Sequence, residues 1–148
     1  MPSMFAAYAE NAIAWALEQV GTTDYALRCL AFVEDAYERS NAIELFGGAT
    51  AHESAEQYRA AQSEGPPPRG ALVFYDCYGT IRGVPQNWGH VGLALGDGRV
   101  VHAFDTVHVD DYVAIQDLPS APGWSACQYV GWASVETVLA GYRPRQWS

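Results

Sequence analysis

Gly65-Pro66-Pro67-Pro68 divides the chain into two halves of different periodicity. A proline triplet gives no backbone N–H to a helix and pushes the residues before it toward extended backbone, so no helix runs through this point. Upstream, apolar residues recur at helical spacing; downstream, they alternate or form short runs bounded by glycine. Helices first and an antiparallel meander second predict an α+β domain.

In the upstream half, Phe5, Tyr8, Ala9, Ala12, Ile13, Ala16 and Leu17 follow a 3.6-residue period, and Gly21 is a natural C-cap, predicting a helix over residues 5–20. After the short Gly21-Thr22-Thr23-Asp24 turn, Cys29, Phe32, Val33 and Ala36 form the apolar stripe of a second helix that runs to about Arg39. So short a connection makes the two helices packed neighbours. Residues 52–62 predict a third, shorter helix that begins near Thr50.

In the downstream half, residues 71–75, 90–95, 99–104, 107–113 and 129–133 are strand candidates, and residues 141–147 form an irregular tail. Gly96-Asp97-Gly98 is a tight-hairpin signal. Centring the hairpin on Asp97 sets residue 92 opposite residue 102, one diagonal step from residue 90. Diagonal neighbours on one face lie within roughly 7–8 Å, so the imidazoles of His90 and His102 can meet.

A chain of 148 residues suits one domain, spanning 1–148 without repeats or a second unit, and it buries a core without staples. Seventeen acidic against eight basic residues give a net charge of -9, which argues against nucleic acid or an anionic membrane as partner. No apolar run is long enough to span a membrane, and no signal peptide is visible at the N-terminus. The expectation is a protein made in the cytoplasm. Cys29, Cys77 and Cys127 are too few and too scattered for a disulfide framework, no spacing suggests zinc, and a Cys77–Cys127 bridge is neither favoured nor forbidden. The sequence sets no oligomeric state.

A cysteine nucleophile needs a base within hydrogen-bond reach and a third polar group to orient that base. Cys29, His90 and His102 supply these three types. Cys29 falls in the first turn of its helix, behind the candidate caps Thr22, Thr23 and Asp24, where the helix dipole lowers a thiol pKa. The plainer reading makes Cys29 a small buried apolar residue. Cys77 is a rival thiol with no helix dipole to activate it. His52 and His108 read as surface residues, and Glu34, Asp35, Glu38, Asp110 and Asp111 as solvated acids, Asp110-Asp111 being too little for a metal site.

Three blocks resemble the NlpC-type cell-wall cysteine peptidases, a family of the papain-like superfamily: Arg28-Cys29-Leu30-Ala31-Phe32-Val33, then residues 68–75, then residues 89–103 with His90-Val91-Gly92 at the head of a strand. The resemblance runs from the first helix through about Phe104. It implies a papain-like fold, with the N-terminal helices packed on a C-terminal antiparallel sheet or open barrel. It also implies Cys29 as nucleophile, His90 as general base and His102 as the residue that orients it. Tyr25 matches a tyrosine at the mouth of such sites, placed to contact substrate or assist an oxyanion. Trp88 either lines the cleft beside the base or is an ordinary core or rim aromatic. Two departures bear on substrate choice: Arg28-Cys29-Leu30-Ala31 stands where the family has Asp-Cys-Ser-Gly, and Gly70-Ala71-Leu72 where it has Gly-Asp-Leu.

The resemblance implies a peptidoglycan hydrolase that cuts an amide of the stem peptide through a thioester, with no metal or organic cofactor and no membrane insertion. Its closest enzymatic rival is an N-acetylmuramoyl-alanine amidase. From other classes come a silent module that binds cell wall or a partner, and an acyltransferase. A small wall hydrolase fits a phage lysin released through a partner pore, an effector sent out by dedicated export, or a catalytic domain of a longer protein.

Overall fold

The computed structural model describes residues 4–147. Helix α1 covers Met4–Glu18 and α2 Cys29–Asn41, and the two pack against each other as their short connection requires. Their shared seam is Ala9, Ala12, Ile13 and Ala16 from α1 with Phe32, Val33, Ala36 and Tyr37 from α2, all buried. Small residues on α1 let the larger aromatics of α2 approach closely. A two-residue strand β1 (Ile43–Glu44) follows, then α3 (Ala51–Gln57), whose N-cap Thr50 accepts a hydrogen bond from the Glu53 N–H. The expected third helix breaks near Tyr58, and residues 60–62 continue as a single 3-10 turn after Arg59 takes a left-handed conformation.

Beyond the prolines lie β2 (Leu72–Asp76), β3 (Tyr78–Ile81), β4 (Val84–Asn87), β5 (His90–Ala94), β6 (Arg99–Ala103), β7 (Val107–Asp111), β8 (Gln128–Ala133), helix α4 (Val135–Leu139) and β9 (Arg143–Pro144). Five of these strands form one antiparallel sheet in the order β7-β6-β5-β2-β8. Period-two alternation splits the sheet into two apolar faces. Leu72, Phe74, Val91, Leu93 and Val101 meet the helices, while Ala71, Val73, Tyr75, Ala94 and Val100 meet Ile115 and Cys127 on the other side. Burial on both faces explains why β2 and β5 are almost continuously apolar.

Other elements also depart from expectation. The 141–147 tail is not irregular throughout: β9 pairs with β1, and the Trp147 indole N–H donates to the Ile43 carbonyl at 2.8 Å. A pairing of two residues with two others carries no periodicity and becomes visible only once the helices have brought Ile43 near the C-terminus. Helix α4 is set by Ser134, whose hydroxyl accepts from the Thr137 N–H. The β3–β4 hairpin turns at Arg82-Gly83, both at positive φ, and its exposed, mostly polar strands offer no apolar alternation.

Candidate active site

Position 29 opens α2, and the residue before it, Arg28, is the N-cap with no side-chain cap hydrogen bond. The expected caps Thr22, Thr23 and Asp24 lie too far upstream; the Thr22 hydroxyl instead accepts from the Asp24 N–H in a local turn. Between them Leu27 is held at φ 60°, a left-handed conformation unfavourable for a branched side chain. That bend directs the chain into α2 so that Cys29 faces a cleft of about 870 Å³. Leu27, Ile81, Val84, Trp88, Phe104 and Trp124 are among its lining residues, as is His90.

His90 is the first residue of β5 and is buried. Asn87 fixes the approach to it: its carbonyl oxygen accepts from the N–H groups of Cys77 and Gly89, and its amide donates to Asp76 at 2.8 Å. The β5–β6 register sets Gly92 opposite His102, as the turn at Asp97 predicts. His90 Nε2 and His102 Nδ1 consequently lie 2.8 Å apart, with the rings nearly perpendicular. His102 is fully buried, and its other nitrogen, Nε2, lies 2.8 Å from Asp110 Oδ2. The same carboxylate oxygen accepts from His108 Nδ1.

Asp110 and His108 are thus not the solvated acid and surface histidine that the sequence suggests. Both are half-buried partners of His102 on neighbouring β7. The register His102↔His108 sets Asp110 one diagonal step from His102, the same relation that joins His90 to His102. That arithmetic applied to the 104–106 turn would have found it. Asp111 is also not free acid: its carboxylate accepts from the Val113 and Ala114 N–H groups.

Burial is the largest single influence on each of these groups, though it does not always set the outcome. It drives His90 well below the ordinary imidazole value, an effect reinforced by His102 and His108. It lowers His102 to about 4, even though Asp110 pulls the other way. Burial would raise Asp110, but hydrogen bonds from His102 and His108 outweigh it and hold the carboxyl below its ordinary value. The Cys29 thiol is pushed up to about 11 by burial, against the opposing backbone N–H groups of Val91, Leu30 and Cys29 itself. That direction is opposite to the one a helix N-terminus by itself would give a thiol, and Cys29 is only partly buried. Both shifts favour the neutral forms, a thiol and an imidazole, in the same cleft.

Trp88 lines the cleft, and its indole N–H is within 3.2 Å of the carbonyls of Gly79 and Val84, tying the β3–β4 hairpin to the wall. The Tyr25 hydroxyl donates to Asp35 at 2.7 Å and its ring packs on Trp15 and Phe32, so it is engaged with α1 and α2 rather than lining the cleft. Among the described residues, His102, His108 and Asp110 offer ligand atoms within 4.8 Å of one another, the set that could hold a metal ion if it gave up its present hydrogen bonds.

A family model described as the NlpC/P60 family matches residues 18–126. The chain belongs to the NlpC/P60 family. The match takes in Cys29, His90, His102 and Asp110 and extends past Phe104, where the resemblance visible in the sequence ends. No curated protein matches the chain. Membership in NlpC/P60 agrees with the architecture, since a helical layer and a five-stranded antiparallel sheet make the α+β, papain-like fold of that family. The family is generally one of cysteine peptidases and points to a cell-wall peptidase activity. Among the described residues no helix is long and apolar enough to cross a membrane.

Proposed function

We propose that this NlpC/P60 protein is a cysteine endopeptidase of the peptidoglycan stem peptide, with Cys29 as nucleophile, His90 as general base and His102 as the residue that orients it. The observation that carries the reading is that Cys29 and His90 face one cleft while His90 Nε2 is engaged by His102, leaving His90 Nδ1 for the thiol proton.

Because both shifts favour the neutral forms, attack and proton transfer go together. The Cys29 sulfur bonds to the amide carbon as its proton passes to His90 Nδ1. The oxyanion is met by backbone N–H groups at the start of α2, which have no intrahelical acceptor. Collapse breaks the carbon–nitrogen bond, and His90 returns the proton to the leaving amine. Water then attacks the thioester carbon as His90 takes its proton; the carbon–sulfur bond breaks, the acid leaves, and His90 returns the proton to the Cys29 sulfur. The wall is reached after release through a partner pore or by dedicated export.

The test is mass spectrometry of muropeptides after digestion by wild type and Cys29→Ala. Wild type is expected to yield two peptide fragments with a new amine and a new acid, and Cys29→Ala none. Equal rates for both proteins would sink the reading. Cleavage between muramic acid and alanine would move the assignment to the amidase.

The apolar cleft wall favours a second reading, an acyltransferase that delivers an apolar acyl group to an amine or alcohol. An added primary amine would then appear in the product in place of water.

A further inference from the structure

Three imidazoles and one carboxylate run in an unbroken hydrogen-bonded chain from the cleft to the edge strand of the sheet: His90, His102, Asp110, His108. Only one arrangement of protons satisfies every link while both inner histidines are neutral. A carboxylate accepts and cannot donate, so His102 must carry its proton on Nε2, facing Asp110. Its Nδ1 is then a lone pair, and the partner 2.8 Å away, His90 Nε2, must be the N–H. His90 is left with a lone pair on Nδ1, the form a base requires. The opposite arrangement, with the His102 proton on Nδ1, would set a nitrogen lone pair against a carboxylate oxygen at 2.8 Å inside the protein.

We propose that Asp110, braced by His108, is the positioning residue that fixes this proton arrangement and so keeps His90 in the basic tautomer at the cleft. The proposal rests on the reading of His90 as base of the Cys29 thiol, but it concerns residues that touch neither substrate nor thiol. Asp110 does not take the proton from His102 during turnover. It stabilises one tautomer of two, and it stabilises the positive charge that appears on His90 through His102 when the thiol gives up its proton. His108 donates to the same oxygen, which holds the carboxylate in place and ionised against its burial.

The experiment uses the full chain labelled with ¹⁵N, in which long-range proton–nitrogen spectra of the imidazoles identify each tautomer directly. In wild type at neutral pH, His90 and His102 are both expected as Nε2–H, and finding either as Nδ1–H overturns the proposal without recourse to any variant. In Asp110→Ala, His102 is expected to lose its single tautomer, kcat to fall about 10- to 100-fold with KM little changed, and Asp110→Glu to restore most of the rate. An Asp110→Ala protein that keeps both tautomers and the wild-type kcat also overturns it. The catalytic reading fails separately: Cys29→Ala as active as wild type removes the thiol mechanism, whereas inactive Cys29→Ala beside fully active Asp110→Ala removes only the role of Asp110.

Discussion

Gly92 stands opposite His102 across the β5–β6 ladder, and a Cβ at position 92 would lie 3.0 Å from the His102 Cβ and 2.3 Å from a Val100 methyl. The glycine in His90-Val91-Gly92 is therefore a space requirement: it lets the His102 ring lie over β5 and reach His90. Gly92→Ala is expected to destabilise the fold by about 1–3 kcal/mol, as overpacking does, and to reduce hydrolysis further by moving His102 away from His90. Urea melts and kcat on the same preparation check this. An unchanged midpoint and rate would mean the strand shifts to absorb the methyl at no cost.

The two buried histidines make stability depend on acid. His102 titrates near 4 in the folded protein against about 6.5 in the unfolded chain, and His90 is displaced in the same direction. Between these values the unfolded chain binds more protons, so stability is fully present above pH 6.5 and is lost as pH falls toward 4. The loss from His102 is on the order of 2–3 kcal/mol. Urea midpoints measured from pH 7.5 to 4.5 should fall steadily, and His102→Gln should flatten the slope. Equal slopes in the two proteins would show that His102 is not the group responsible.

The candidate site was legible in unequal parts. The places of Cys29 at a helix start and of His90 at a strand head followed from an apolar helical stripe and a glycine-bounded turn, local patterns that survive folding. The diagonal His90–His102 contact followed from turn arithmetic. Asp110 escaped because an acidic pair on an exposed-looking edge strand has the composition of solvated surface, and only the register against β6 turns its carboxylate toward His102. The thiol's surroundings were less legible: a helix N-terminus is written in the sequence, but the partial burial of Cys29 against β5 is not. The short β1–β9 pairing and the polar β3–β4 hairpin are products of tertiary placement and left no period to detect.

Glu34 lines the cleft floor on α2, and burial raises its carboxyl to about 7, with Glu38 and Asp35 adding to the shift. A carboxyl whose folded pKa exceeds its unfolded value favours the folded state at low pH. That advantage is lost as pH rises from 4.5 through 7, opposite in sign to the histidines. Glu34→Gln should therefore raise stability by about 1–2 kcal/mol at pH 8, allowing for its partial exposure, and change little at pH 5. Thermal melts at the two pH values check it. A Glu34→Gln protein weaker at pH 8 than wild type would show that the ionised carboxylate makes a contact worth more than its burial costs.

Cys77, which lines the cleft, and Cys127 hold their sulfurs 3.2 Å apart, with the Cys127 thiol donating to Cys77. That hydrogen bond, against the effect of burial, lowers the Cys77 pKa, while the same contact and burial raise that of Cys127. The two sulfurs are therefore already in place for each other. Oxidised glutathione at mild pH should convert the pair to a Cys77–Cys127 disulfide, two thiols losing two electrons and two protons as one glutathione disulfide becomes two thiols. Peptide mapping should recover residues 77 and 127 as one cross-linked fragment, with Cys29 still open to alkylation after unfolding. Closing a loop of 50 residues adds up to about 4 kcal/mol of stability if the native geometry accepts the bond without strain. Finding Cys77 stably glutathionylated and Cys127 free would show that the second sulfur cannot reach the mixed disulfide, and the pair would then be a packing contact rather than an oxidisable one.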